Sequence, residues 1–101
     1  MKRLSILAMW LLCGCESARY FVPPVVTAES ARREDVDLAM LARGRRLFAY
    51  RCIQCHTAPS VWNYALEDWP GIVDSMAHRA SLKSTERDAI LAYIRAVRRQ
   101  R

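Results

Sequence analysis

Glycine and proline are scarce in this 101-residue chain, with three and four respectively, and two of the prolines are adjacent. No stretch alternates apolar and polar residues with period two, so half-buried β-strands are excluded and the expected fold class is all-α. Nor does any apolar run approach the ~20 residues that a membrane-spanning helix needs. Histidine is limited to two residues and cysteine to four. Outside 52–56 the soft donors are Cys13, Cys15 and His78. Two of these lie close to the N-terminus, far from 52–56 in sequence, so a closed four-ligand zinc site is short of ligands. A thioredoxin-like dithiol wants a βαβ context, and none is present. A plain structural disulfide is compatible with length and composition, but it leaves one neighbouring histidine without a role.

That histidine belongs to the most specific feature of the chain, Cys52-Ile53-Gln54-Cys55-His56. C-x-x-C-H is the attachment signature of a c-type haem. Two thiols three positions apart on one turn can each add to one vinyl group on a single porphyrin edge. The next residue then offers its imidazole as proximal axial ligand. One haem c, held through Cys52 and Cys55 and ligated by His56, is the expected cofactor.

Attachment of this kind takes place outside the bacterial cytoplasm, and the N-terminus has the matching features. Lys2 and Arg3 form a basic n-region, and Leu4 to Leu12 is an apolar run of signal-peptide length. The following Leu12-Cys13-Gly14-Cys15 resembles the lipobox of bacterial lipoproteins. That resemblance implies cleavage before Cys15, lipidation of Cys15, and a mature chain tethered to the periplasmic side of a membrane. Glu16 after the cysteine favours the outer membrane. With Cys13 removed, Cys15 lipidated and Cys52 and Cys55 on haem, no thiol is left over.

Three segments are expected: a signal peptide over 1–14, an anchor and extended tether over 15–34, and one small domain over 35–101. Pro23-Pro24 discourages helix in the tether. A core of this size is marginal without a cofactor, and a covalent porphyrin supplies apolar surface for helices to cover. The formal charge of +6 falls to +4 when Lys2 and Arg3 leave with the signal. An exported protein has little use for nucleic acid. Its basic residues therefore point to an acidic docking surface on a redox partner, or to anionic lipid near the anchor. A solvated basic face complementing helix dipoles accounts for them equally well.

Helical periodicity runs from Asp35, a candidate N-cap, to Tyr50, with Val36, Met40, Leu47 and Phe48 sharing a face. Gly44 falls on that face too, which predicts close approach of another element. Asp68-Trp69-Pro70-Gly71 opens a shorter helix with Trp69, Val73 and Met76 along one side. Ser84 to Arg98 forms the last helix, with Ala89, Ile90, Tyr93, Ile94 and Val97 as its apolar stripe. From Asp35 to Arg98 the chain resembles a class I c-type cytochrome. A Gly-x-x-x-Phe helix (Gly44, Phe48) leads into C-x-x-C-H, and a final helix carries an aromatic (Tyr93). The resemblance implies that Gly44 packs against Tyr93 and that a distal methionine lies before the last helix.

Met76 holds that position, and the resemblance makes it the expected sixth ligand. His78, two positions on and directed elsewhere, is its rival, and an open distal site is the third option. Met40 reads as core. Trp62, Trp69 and Arg79 are candidate donors to the propionates, and both tryptophans suit packing equally. The expected function is one-electron transfer between protein partners, without catalysis. The alternatives are an open-site haem enzyme, with His78 or Arg79 delivering protons, and the haem subunit of a larger oxidoreductase.

Overall fold

The computed structural model describes residues 23–52 and 60–100. Four α-helices carry the fold: α1 (Ala28–Glu34), α2 (Leu38–Tyr50), α3 (Trp69–Ala80) and α4 (Ser84–Arg99), with a 3₁₀ turn at Leu66–Asp68 before α3. No strand occurs among the described residues. The domain is all-α.

The last helix is the spine. At its N-terminus the Glu86 carboxylate accepts a hydrogen bond from the backbone N–H of Lys83 at 3.0 Å. That bond holds its carboxyl below the usual range. The five stripe residues named above are all buried, and so are Leu91, Ala92 and Ala96. An apolar arc this wide needs cover on more than one side. Two clusters supply it: Phe48, Cys52, Val61, Trp69 and Val73 gather around Ile90, Tyr93, Ile94 and Val97, while Ala31 and Leu41 close on Ala92 and Ala96.

The second cluster corrects the reading of 15–34 as an extended tether. Pro23 to Thr27 is non-helical, as the prolines dictate, but Ala28–Glu34 is helical and packed. Thr27 and Ser30 form a reciprocal cap. The Thr27 hydroxyl accepts from the Ser30 N–H at 3.2 Å, and the Ser30 hydroxyl from the Thr27 N–H at 3.4 Å. Asp35, expected to open the next helix, instead closes this one in a left-handed conformation, φ 53°. The N-cap position of α2 is therefore Asp37, and that helix begins at Leu38.

Polar contacts fasten this N-terminal strap. Arg45 Nε donates to the carbonyls of Pro23 and Pro24 at 3.0 and 3.2 Å. The Tyr93 hydroxyl donates to the Pro24 carbonyl at 2.6 Å. Ser30 donates to Gln100 at 2.6 Å, and Arg99 pairs with Glu34 at 2.8 Å. Pro23 to Glu34, expected to lie in the tether, are thus bonded to or packed on α2 and α4.

Burial pushes the Tyr93 phenol above the ordinary tyrosine range, while nearby Arg45 pulls the other way. The folded state therefore holds this proton to higher pH than the unfolded chain, whose phenol titrates near ~10. The contribution is fully present below that value and is lost as pH rises beyond it. In a series of thermal melts from neutral to alkaline pH, Tyr93→Phe is expected to cost about 1 kcal/mol at neutral pH. It should also flatten the alkaline loss of stability. An unchanged alkaline slope in the variant would place that titration elsewhere.

Helix α2 meets α4 at Gly44. A Cβ on this glycine would stand 2.0 Å from the Ala89 carbonyl oxygen and 2.8 Å from the Tyr93 Cβ. The close approach expected of Gly44, with Tyr93 as its neighbour, is present.

Candidate cofactor-attachment site

Cys52 follows the last turn of α2 and is buried, 8% exposed, with its thiol free. It belongs to the cluster formed by Phe48, Val61, Trp69 and Val73. Burial pushes the thiol above its usual pKa. In the chain without a cofactor it therefore stays protonated and weakly nucleophilic at neutral pH. Cys55, His56 and Cys15 lie outside the described residues.

The described residues before and after 53–59 are each held by side-chain hydrogen bonds. On the N-terminal side, Arg51 donates through Nη2 to the Ala80 carbonyl at 2.7 Å, which joins the end of α2 to the end of α3. That carbonyl is in the last turn of its helix, where a guanidinium also offsets the helix dipole. On the C-terminal side, Val61 is 2% exposed, and its carbonyl accepts from Trp69 Nε1 at 3.3 Å and from Arg98 Nη1 at 3.0 Å. Arg98 also donates to the Tyr64 carbonyl at 2.5 Å and lies over the Trp62 ring at 5.4 Å. Cys52 and Val61, on either side of the residues that complete the motif, rest in one apolar cluster.

Aromatic rings line the cluster. Phe48 meets Trp69 edge-on with centroids 6.1 Å apart, and Tyr93 at 5.9 Å. Tyr64 meets Trp69 edge-on at 5.5 Å. Trp69 is fully buried and its indole N–H is engaged by Val61, so its place is in the packing rather than at a propionate. Trp62 is 57% exposed beside the motif.

On α3 the buried residues are Trp69 and Val73. Met76, at the next step of that face, is half-buried, whereas His78 and Arg79 are exposed. Met40 is half-buried against the cluster of Ala31, Leu41, Ala92 and Ala96, as a core residue. Arg98, which anchors the loop beyond the motif, was not foreseen as a site residue. In sequence it is one arginine of a basic tail, and nothing local marks it. Leu41 and Val61, both almost fully buried, were missed for the same reason.

Cys52 is thus a buried thiol within an apolar, aromatic cluster, and Met76 lies half-buried on α3, the helix that contributes Trp69 and Val73 to that cluster. Among the described residues, no three histidine, cysteine, aspartate or glutamate side chains converge as a metal cluster would require. No described helix is long and apolar enough to cross a membrane. No protein-family model, curated protein or solved structure matches the chain.

Proposed function

We propose that this chain is a monohaem c-type cytochrome, lipid-anchored through Cys15 on the periplasmic side of a bacterial membrane and carrying one electron at a time between protein partners. The observation that carries the reading is the sequence Cys52-Ile53-Gln54-Cys55-His56, whose first cysteine is buried in an aromatic cluster that Val61 shares. Cys52 and Cys55 would hold the haem, with His56 and Met76 as axial ligands. The bound haem supplies a one-electron ferric–ferrous couple. The protein's part is to position and to exclude water. Phe48, Trp69 and Val73, packed around Cys52, make the surroundings of that attachment point apolar, and low polarity near a haem is one of the levers on its redox potential. Arg51 and Arg98 tie the residues before and after the stretch 53–59, Arg51 itself and Val61, to the ends of α3 and α4.

Exposure of His78 and Arg79 favours this reading over an open-site enzyme, whose proton donor would have to lie inside the pocket. The cluster of arginines and the positive net charge suit a redox partner with an acidic docking surface.

The test is production in cells able to attach haem in the periplasm, followed by denaturing electrophoresis and intact mass. One haem should remain on the unfolded wild-type chain and be absent from Cys52→Ser/Cys55→Ser. A wild-type chain that carries no haem under these conditions would sink the proposal.

A further inference from the structure

We propose that the outward face of α2, carrying Arg43, Arg46 and Tyr50, lies against an anionic lipid surface. This rests on the reading of Cys15 as the lipid anchor. The reasoning starts with the strap. Because Pro23 and Pro24 are bound by Arg45, the free leash is only the segment from Cys15 to Pro23. At 3.3–3.6 Å per residue its eight steps reach roughly 28 Å when fully stretched. A domain of this size is itself about 30 Å across. The domain therefore cannot move off by more than its own width. It is held beside the lipid by a chain segment whose described end, Pro23, is bonded to Arg45 of α2.

What that helix presents outward matches such a surface. Ala39, Arg43, Arg46 and Tyr50 follow each other at helical spacings of four, three and four, and all are exposed. The opposite face, Leu41, Gly44 and Phe48, is packed on α4. Among the described residues no ion pair involves Arg43 or Arg46, while Arg33 and Arg99 each pair with one carboxylate and Arg87 with two; exposed Arg32, Arg79 and Arg95 are likewise without an ion pair. Tyr50 is 68% exposed. Arginine with tyrosine is the combination that settles at a membrane interface, with charge on headgroups and ring at the boundary.

The experiment uses the mature, lipidated holoprotein in vesicles of phosphatidylcholine alone or mixed with phosphatidylglycerol. Arginine modification and hydroxyl-radical labelling are read by peptide mass spectrometry. Labelling of Arg43, Arg46 and Tyr50 should fall about fivefold in the anionic vesicles, the effect of roughly one basic residue's attraction. Exposed Arg32 and Arg95 should change little. Arg43→Glu/Arg46→Glu should restore labelling at Tyr50. Equal labelling in both vesicles, protection at Arg32 or Arg95 instead, or protection only when an acidic redox protein is added would each overturn the proposal. The mass of the N-terminal peptide separates the two failures. Lipid present without protection defeats this inference alone, while lipid absent from Cys15 defeats the anchor and this orientation together.

Discussion

Gly44→Ala is expected to remove a large part of the domain's stability. The new methyl would meet the Ala89 carbonyl at 2.0 Å and the Tyr93 Cβ at 2.8 Å. Neither obstacle is the flexible end of a side chain, so α2 and α4 would have to separate. Overpacking of this kind costs roughly 3–5 kcal/mol when the backbone cannot yield. The described residues form a domain with about 4–12 kcal/mol to lose, at the usual stability per residue. Trimming Ala89 to glycine should not rescue the variant, because the clash is with the carbonyl rather than the methyl. Gly71 provides the control. It is the third residue of α3, and a Cβ there meets nothing within 4 Å. Gly71→Ala should be neutral or stabilising by up to about 1 kcal/mol, the difference in helix propensity. Chemical denaturation of both variants decides the matter. Comparable midpoints for Gly44→Ala and wild type would mean that α2 and α4 are not in the contact described.

The second large effect is expected at Met76. If its sulfur is the distal ligand, Met76→Leu should abolish the far-red sulfur-to-iron absorption band of the oxidised protein. The midpoint potential should fall by roughly 0.1–0.3 V, a fraction of the ~0.8 V range over which axial ligands act. Leucine conserves volume, so the half-buried position should lose little packing, under about 1.5 kcal/mol. A lost band with an unchanged melting profile therefore reports ligation rather than collapse. His78→Ala, at an exposed position on the same helix, should leave band and potential as they are. Loss of low-spin character in His78→Ala alone would replace the methionine by the histidine. High-spin features in the wild type would indicate an open site and return the enzymatic alternative to first place.

Much of the helical layout was legible because its signals are local. The apolar stripe of α4 repeats with helical period, and Trp69-Pro70-Gly71 places proline where a first turn tolerates it. Gly44 stood out because a mid-helix glycine among apolar neighbours is costly unless something needs the space. The strap was misread because the chain before Asp35 is polar and contains Pro23-Pro24. Its helix depends on the Thr27–Ser30 cap and on two small buried residues, Ser30 and Ala31, a signal far weaker than an apolar stripe. Asp35 was assigned to the wrong helix end for a related reason. An aspartate between two helices serves equally as N-cap or as left-handed C-cap, and only the backbone at φ 53° separates them.

The proposed attachment chemistry is read from five consecutive residues, Cys52 to His56, because thiol spacing and a neighbouring imidazole are local in sequence. Secondary structure and the Gly44 contact are nearly as local, since each follows from side-chain volume and period along a single helix. The anchoring of the flanking residues is another matter. Arg51 reaches Ala80, Arg98 reaches Val61 and Tyr64, and Arg45 reaches Pro23 and Pro24, across separations of 21 to 37 residues. A guanidinium in a basic chain carries no mark of its acceptor. Which carbonyl each arginine meets depends on how the helices pack, and so only the folded chain sets it.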